Sequence, residues 1–432
     1  MMQQLEKGNN KVMNAWAFYD WANSVYSLVI SSSIFPLYFG FLFTKENPNI
    51  DVFGTSIKAT SLVFFITAFA FLTVAVLSPI LSGIADYLGN KKRFMQFFCY
   101  LGAASCIGLY WFTKENIIFG MCCFYFGLVG FWGSLVFYNS YLSDIAFTVQ
   151  HDKLSAKGFS LGYIGSVILL VICLYLIIGR TDEEAIYAMK LSFVFTGIWW
   201  IVFSQYTFYY LPKGNKNKHP LTFSIVLNGY EELKKVQKLF FKDAKLKSFL
   251  IAFFVYSMAV QTVMLVATYF GEQEINWGTA DEKRQGLIVS ILMIQLVAVL
   301  GAVLTSKLAL KFGNIKTLIG INSVWIFICI SAFFVTKPIQ FYLVAGIVGL
   351  VMGGIQSLSR STFSKLMPET NDTTSFFSFY DVAEKIGIVI GMLLYGSINQ
   401  ITGSMRNAIL FLVLFFVIGV VLLFRTLKIE NK

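Results

Sequence analysis

Long apolar stretches, separated by short polar segments, run through the whole chain. A helix needs about 20 mostly apolar residues to cross the hydrocarbon core of a bilayer. By that measure the pattern predicts twelve spans, near residues 15–43, 60–82, 94–112, 117–141, 158–179, 189–211, 247–270, 286–310, 318–336, 339–361, 375–398 and 407–427. The sequence therefore predicts an all-α integral membrane protein.

The longest break between predicted spans covers residues 212–246 and leaves six spans on each side. Its second part carries apolar residues at helical spacing with lysines between them, which is typical of an amphipathic helix at a membrane surface. The residues on that face are Val226, Tyr230, Leu233 and Phe240. The pattern predicts an N-terminal six-helix half at 1–211, a cytoplasmic linker at 212–246 and a C-terminal six-helix half at 247–432.

An internal match relates the two predicted halves. Residues 82–92 read SGIADYLGNKK and residues 306–316 read SKLALKFGNIK, each after the second span of its half. Small-x-x-x-small faces also recur in the fifth and eleventh spans, at Gly158, Gly162, Gly387 and Gly391. Such faces allow close helix approach, and packing explains these glycines without a functional role. We expect two pseudo-symmetric bundles with a solute site at their interface, near the membrane midplane.

Composition and charge agree with this class. The chain is 57% hydrophobic and 13% charged, whereas soluble domains are typically about 45–50% apolar and about 25% charged. Most of the 34 Lys and Arg fall in segments that are predicted to lie on the same side of the membrane as the N-terminus. The acidic residues divide evenly between the two sides. This asymmetry predicts cytoplasmic termini. The net charge of +11 then reflects topology and lipid headgroup contact rather than nucleic-acid binding.

Several chemistries find no support in the sequence. The six cysteines form no C-x-x-C pair, the two histidines lie in predicted loops, and no G-x-x-x-x-G-K-[ST] phosphate loop occurs. An intramembrane enzyme would need a nucleophile–base or metal cluster, and neither His nor Cys is placed for one. We expect no enzymatic activity, metal or cofactor, and a monomer whose partners are a small solute, lipid and protons.

One loop resembles a superfamily motif. Residues 83–93 read GIADYLGNKKR and are similar to G-x-x-x-D-R/K-x-G-R/K-R/K-R/K, the loop between the second and third helices of major facilitator superfamily transporters. The motif positions are Gly83, Asp86, Gly89, Lys91, Lys92 and Arg93. A glycine turn, an Asp available to a helix N-terminus and cations facing the cytoplasm would suit a gating role.

Four further stretches resemble one family within that superfamily, which includes the fungal vacuolar amino-acid effluxers and many bacterial relatives. They are AFYDWANSVYSLVISSSIFPLYF at 17–39, YSMAVQT at 256–262, GGIQSLSRSTFSKLMPE at 353–369 and FFSFYDVAEKIG at 376–387. The resemblance covers nearly the whole chain. It implies a secondary transporter in a membrane, here expected to be the bacterial cytoplasmic membrane, with amino acids as the best-known substrate class. This chain departs from the family at two positions. It has Met258 where family members often have an acidic residue, and Glu384 where they tend to have a small residue.

Charged and amide side chains inside the spans are the candidate site. Charges there are costly unless they face protein or a water-filled cavity. The predicted spans contain three carboxylates, Asp20, Asp381 and Glu384, and two cations, Arg360 and Lys385. A buried carboxylate without a cation tends to bind a proton. The candidates for substrate or coupling contact are Asp20, Asn23, Tyr26, Tyr138, Asn139, Gln261, Gln356, Arg360, Tyr380, Asp381, Glu384 and Lys385.

Two alternatives stay open for these residues, since Asp381 and Lys385 also suit a helix-pinning ion pair and Arg360 a headgroup anchor. The cavity would suit a zwitterion, with Asp20 or Glu384 on its ammonium and a cation or amides on its carboxylate. The sequence thus predicts alternating-access transport of a small polar solute, such as an amino acid, with possible proton coupling. A sugar or organic-anion carrier is the alternative, and a receptor or assembly factor on a transporter scaffold is a third.

Overall fold

The computed structural model describes residues 7–43, 49–52, 55–213 and 224–430, and nearly all of them are helical. The α-helices are α1 Asn10–Val25, α2 Phe35–Leu42, α3 Ala59–Leu88, α4 Lys91–Gly108, α5 Ile117–Ile145, α6 His151–Ile177, α7 Asp182–Tyr210, α8 Ser224–Lys242, α9 Ala244–Glu274, α10 Ala280–Phe312, α11 Asn314–Phe334, α12 Pro338–Leu366, α13 Thr373–Thr402 and α14 Met405–Glu430. Short 3₁₀ turns occupy Leu109–Trp111 and Thr148–Gln150. Residues 214–223 of the predicted linker lie outside the described residues.

A small antiparallel ribbon departs from the all-α prediction. Strand β1, Asn49–Val52, pairs with β2, Thr55–Lys58, and Asn49 lies opposite Lys58. This ribbon falls in the polar connection before the second predicted span. Backbone N–H and C=O groups need partners wherever a segment has no helix, and strand pairing supplies them here.

The first predicted span is one continuous helix with a π-helical centre. The segment Tyr26–Ile34 joins α1 to α2 without a break. Pro36, the second residue of α2, lies two positions after this segment and has no N–H to donate to the preceding turn. The widened π-helical segment therefore precedes a position where regular α-helical bonding is interrupted. Ser27, within this segment, faces the cavity described below.

Eleven helices in the described part of the chain are long and apolar enough to cross a membrane. Helix α13 is not among them although it has 30 residues, because Asp381, Glu384 and Lys385 make its first half polar. Each predicted span overlaps one of these twelve helical regions. The observed helices often extend further at their ends, where polar residues weaken the apolar signal on which the prediction rested.

Buried apolar side chains form two clusters. One draws its members from residues 13–211, and the other from residues 236–423 together with Tyr163. Helices of the two clusters meet where α3 packs against α13 and where α6 packs against α10 and α12. The candidate site lies between these clusters.

The amphipathic helix α8 packs against α3. Phe240 is buried and stacks on Phe379 at a ring-centroid distance of 5.4 Å. Leu233 is half-buried, whereas Tyr230 is exposed with Lys234 lying over its ring at 4.7 Å. The side chain of Val226 lies outside the described part. Only part of the predicted apolar face therefore contacts protein.

Candidate functional site

A cavity of about 170 Å³ lies between the two apolar clusters. Its walls come from α1, the π-helical segment, α5 and α6 on one side, and from α9, α10, α12 and α13 on the other. The polar and charged side chains that line it are Asp20, Asn23, Ser24, Ser27, Asn139, Tyr163, Ser166, Tyr256, Ser257, Gln261, Gln295, Gln356, Ser359, Arg360, Tyr380 and Glu384. Trp132, Phe159 and Met264 contribute apolar surface beside them. The cavity therefore offers many hydrogen-bonding groups to a small polar molecule.

The first charged group in the cavity is a buried ion pair that joins the two clusters. Arg360 of α12 approaches Asp20 of α1, and both Nη1 and Nη2 lie 3.3 Å from Oδ2. The hydroxyl of Tyr138 donates to the same oxygen at 2.8 Å. Asp20 and Arg360 are 4% and 3% exposed. A pair this deeply buried is stable only when hydrogen bonds satisfy both partners.

The remaining N–H groups of Arg360 also donate to residues of the first cluster. Nε donates to Ser155 Oγ at 2.9 Å, Nη2 donates to the Ser155 carbonyl at 3.0 Å, and Nη1 donates to Asn139 Oδ1 at 3.3 Å. Trp16 and Phe159 flank the guanidinium at 4.9 and 4.2 Å from their ring centres. Arg360 therefore lies inside the protein, away from lipid headgroups.

The second charged group is built around Lys385, where two carboxylates share one ammonium. Lys385 Nζ lies 2.7 Å from Asp381 Oδ1 and 2.7 Å from Glu384 Oε2. The ring of Trp132 covers the same ammonium at 3.9 Å. Ser78 donates to Asp381 at 3.0 Å, and Gln261 donates to Glu384 at 2.9 Å. The sequence-predicted pair is present, with Glu384 as its second carboxylate.

Charge counting now locates the excess carboxylate. Asp20 has Arg360 to itself, whereas Asp381 and Glu384 have only Lys385 between them. Of these two, Glu384 lines the cavity, and its side chain is 17% exposed against 5% for Asp381. Among the charged residues that the structure describes in the cavity wall, the sum is one negative charge.

Glycines bring α6 and α13 close to these polar groups. A Cβ on Gly158 would lie 2.4 Å from Asp20 Oδ2, and one on Gly162 would lie 2.4 Å from Ser24 Oγ. In α13 a Cβ on Gly391 would lie 2.2 Å from Thr262 Oγ1, whereas one on Gly387 would make only an ordinary contact of 3.5 Å with Met258 Cβ. The sequence assigned these glycines to packing alone. The structure places Gly158 directly behind the carboxylate of the ion pair, which only a residue without a side chain allows.

The sequence-predicted residues divide into two groups by position. Those in the cavity wall are Asp20, Asn23, Asn139, Gln261, Gln356, Arg360, Tyr380 and Glu384. Those behind the wall are Tyr26, Tyr138, Asp381 and Lys385. Tyr138 and Lys385 contact the charged wall residues Asp20 and Glu384. Asp381 contacts Lys385, whereas Tyr26 stacks on Phe131 at 5.3 Å. Among the described wall residues, Asn23 has a buried Nδ2 with no hydrogen-bond partner, and behind the wall the same holds for the Tyr26 hydroxyl.

The sequence did not identify several residues that position the site. Ser155 accepts from Arg360 and donates to the Ser357 carbonyl at 2.7 Å, which links the two clusters a second time. Ser78 holds Asp381, and Tyr163 donates to Gln356 at 2.6 Å. Small residues with a hydroxyl group are common in membrane helices, so their presence in the sequence does not indicate these roles.

The motif loop lies at the end of the molecule where α4 and α13 begin. Asp86 accepts from the backbone N–H groups of Thr374 at 3.3 Å and Ser375 at 2.7 Å, at the start of α13. Free N–H groups and the helix dipole favour a carboxylate at such a position. Lys91 pairs with Asp144 and donates to Thr373 at 2.8 Å. The contacts of Asp86 and Lys91 with the start of α13 join the two clusters, and the gating role stays a prediction.

The other motif positions differ from the expectation of a turn with outward cations. Gly89 has φ +61 and forms the turn, but Gly83 is buried within α3. Lys92 is 6% exposed and donates to the Leu211 carbonyl at 2.8 Å, and of the three cations Arg93 is the exposed one. The carbonyl at the end of α7 has no partner within its helix, which explains why it binds this ammonium.

A second set of contacts joins the clusters at the same end. Asp152 at the start of α6 pairs with Lys365 near the end of α12. Asn314 at the start of α11 donates to Asp152 at 2.8 Å and accepts from Lys365 at 3.1 Å. Asp144 and Asp152 flank the short connection between α5 and α6, so both sets share one end of the molecule. We call this end, defined by Asp86, Lys91, Asp152 and Lys365, the bridged side.

Comparison with known proteins identifies the family of this chain. The family model described as "Vacuole effluxer Atg22 like" matches residues 8–151 and 143–431. The uncharacterized MFS-type transporter YxiO of Bacillus subtilis is 32% identical over 424 residues, which cover 96% of this chain and 94% of YxiO. Autophagy-related protein 22 of Kluyveromyces lactis is 27% identical over 398 residues, which cover 83% of this chain and 77% of that protein.

Solved structures show the same fold at low sequence identity. The fucose:proton symporter FucP of E. coli aligns with a TM-score of 0.67 and 15% identity, covering 96% of this chain and 97% of FucP. The human organic anion transporter MFSD10 aligns with a TM-score of 0.71 and 11% identity, covering 97% of this chain and all 100% of that chain. The fold is that of major facilitator superfamily transporters, and the chain itself belongs to the Atg22-like vacuole effluxer family.

Proposed function

We propose that this chain is a secondary active carrier that moves a small polar solute, such as an amino acid or similar metabolite, by alternating access. The observation that carries the proposal is the cavity between the two apolar clusters, which is lined from both sides and contains Asp20, Arg360 and Glu384. A solute bound there contacts both sides at once, so its binding energy can favour one arrangement over the other.

The architecture we propose is twelve spans in two pseudo-symmetric six-helix bundles, 1–211 and 247–432, joined by the linker. The two apolar clusters support this division. The bias of Lys and Arg toward the bridged side supports cytoplasmic termini in a bacterial cytoplasmic membrane. Residues 214–223 of the linker lie outside the described part of the chain.

The size of the cavity fits a small metabolite. An apolar cavity of about 150 Å³ holds one benzene molecule, whereas drug-sized ligands occupy pockets of about 300–1,000 Å³. The 170 Å³ found here therefore suits a solute of about that smaller size. Amide side chains at Asn23, Asn139, Gln261 and Gln356 suit the polar atoms of an amino acid.

Alternating access requires that the bridged side open while the other side closes. Asp86 would release the start of α13, and Asp152 would release Lys365. Arg360 would also leave acceptors on α1, α5 and α6. These contacts are polar and exchange readily with water once the bridged side is hydrated, which suits a reversible closure better than an apolar seal.

Proton coupling through Glu384 is the second part of the proposal. Glu384 is the cavity carboxylate that has no cation to itself, and a proton on it would remove the excess charge. The groups around it are Asp381, Lys385, Tyr380 and Gln261. Asp20 is less suited to this role, because Arg360 and Tyr138 already occupy its carboxylate.

Reconstitution in proteoliposomes tests both parts. Purified chain should carry labelled amino acids, and an imposed proton gradient should drive their accumulation. Glu384→Gln should lose accumulation but keep exchange at saturating solute, while Glu231→Gln on the exposed face of α8 should behave as wild type. Flux that ignores the proton gradient would contradict coupling. The absence of flux for every small solute would contradict the carrier itself and favour a receptor or assembly factor.

A sugar carrier is the second candidate. Amide side chains can hydrogen-bond sugar hydroxyls, and the described cavity wall combines five of them with aromatic surface from Trp132 and Phe159. The same liposomes loaded with labelled hexoses and pentoses would show it. An organic-anion carrier is less suited to this cavity, because both intramembrane cations already hold carboxylates of the protein.

A further inference from the structure

We infer that the cavity recognises an amino group, with the ammonium of the solute bound at Glu384, and that it discriminates against solutes whose only charge is a carboxylate. The inference rests on the proposed carrier function and names its substrate class. It follows from three features of the cavity, namely its occupied cations, its accessible carboxylate and its unpartnered amide.

In the arrangement that the structure shows, the cation of Arg360 is not available to a solute. A guanidinium has five N–H groups. The structure shows five hydrogen bonds from them, to Asp20 twice, to Asn139 and to Ser155 twice. A solute carboxylate would have to displace one of these acceptors, and displacement of Asp20 would leave that buried carboxylate without its cation.

The cation of Lys385 is likewise occupied. Its ammonium contacts Asp381, Glu384 and the face of Trp132, and the side chain is 1% exposed. Lys385 does not line the cavity, whereas two residues that contact its ammonium, Glu384 and Trp132, do. A carboxylate in the cavity would therefore face Glu384 first, and like charges at short range repel in a low-dielectric site.

Glu384 is placed to bind an ammonium. One of its oxygens accepts from Gln261 and the other from Lys385, and each carboxylate oxygen can accept a further hydrogen bond. Tyr380 lies in the same part of the wall and stacks on Phe253 at 4.1 Å. Aromatic faces attract organic cations, so this pair favours the same charge as Glu384 does.

Asn23, on α1, offers the cavity a donor for an oxygen of the solute. Asn23 is 1% exposed, and its Nδ2 has no partner among the described residues. A buried amide without a partner is costly, and a solute oxygen would satisfy it. Asn23 suits a carbonyl, ester, amide or hydroxyl oxygen as well as a carboxylate. The class is therefore small primary amines that carry an oxygen at the other end, including amino acids, their amides and esters, and amino alcohols.

Matched probes separate the two charges of an amino acid. For each of alanine, leucine and phenylalanine, the free amino acid, its methyl ester and its N-acetyl derivative are titrated against the purified full chain in detergent. Binding is measured as thermal stabilisation. In at least one series the free amino acid and the ester should bind at least about tenfold more tightly than the N-acetyl form, because only these carry the ammonium.

Variants assign the preference to Glu384. Glu384→Gln should remove it, Glu384→Asp should keep part of it, and Glu231→Gln should leave it unchanged. Gln261→Leu, which keeps the charge and removes its amide partner, should weaken amine binding by a smaller factor and serves if Glu384→Gln folds poorly. Equal or tighter binding of the N-acetyl forms, or a preference that survives in Glu384→Gln, would overturn the inference.

Flux measurements distinguish failure of this inference from failure of the proposed function. If the reconstituted chain transports neutral polyols or sugars but none of the amines, it is a carrier that does not recognise amines. That result would overturn the inference alone. Liposomes that carry no tested solute, with no probe bound, would overturn both.

Discussion

Replacing Lys385 by methionine should destabilise this protein far more than replacing Asp381 by asparagine. The reason lies in the sharing of one ammonium. Lys385 holds Asp381 and Glu384 at 2.7 Å each, so its removal leaves two carboxylates without a cation. Removal of the Asp381 charge leaves Lys385 paired with Glu384 at an unchanged distance. From the sequence alone, loss of Asp381 would be expected to strand the lysine.

The magnitudes follow from burial. Lys385 and the Asp381 side chain are 1% and 5% exposed, and removing one partner of such a pair costs about 3–5 kcal/mol. Asp381→Asn loses one charge-assisted hydrogen bond, worth about 1.5–3 kcal/mol, and keeps the contact with Ser78. The double variant Asp381→Asn/Lys385→Met leaves Glu384 alone beside the cavity, where water reaches it. We expect the double variant to be more stable than Lys385→Met.

Unfolding of the purified chain in detergent, followed by tryptophan fluorescence, measures this order, and folding yield is read from size-exclusion profiles. Lys238→Met, an exposed lysine on α8, is the matched control and should unfold as wild type does. The reasoning is refuted if Asp381→Asn is as damaging as Lys385→Met. It is also refuted if the double variant is less stable than Lys385→Met alone, because the carboxylates would then not depend on a shared cation.

Three further predictions concern the ion pair, the bridged side and the topology. Gly158→Ala should disturb the site as Asp20→Asn does, because its Cβ would lie 2.4 Å from the Asp20 carboxylate. Both variants should lower the midpoint of thermal unfolding. Gly320→Ala, which has open space around its Cβ, should leave that midpoint unchanged. Asp86→Asn should populate states with a wider bridged side, seen as longer spin-label distances there, and unchanged distances would point to another role for Asp86. Single cysteines at positions 213 and 278 on a Cys-free background should label from opposite sides of the membrane, and same-side labelling would contradict the two-half architecture.

The sequence determined the class of the protein because lipid constrains the backbone locally. Inside hydrocarbon each N–H and C=O must be paired within its own segment, so a long apolar run specifies a helix whatever surrounds it. The helical class and the family resemblance depend on such local signals. The helices of the described residues confirm the first and the comparisons confirm the second, whereas the count of twelve spans stays a prediction. The pair of Asp381 and Lys385 was visible for the same reason, since four residues along a helix are neighbours.

Tertiary structure decided which charges meet. Asp20 and Arg360 are separated by 340 positions, and Ser78 and Asp381 by 303, so their contacts depend on the depth and rotation of whole helices. The same dependence hides the role of Gly158, which resembles a packing glycine until α6 is laid against α1. Nothing local in the sequence records those rotations, because many combinations of helix faces bury similar apolar area. Only the packed arrangement shows that both cations are occupied and that Glu384 faces the cavity.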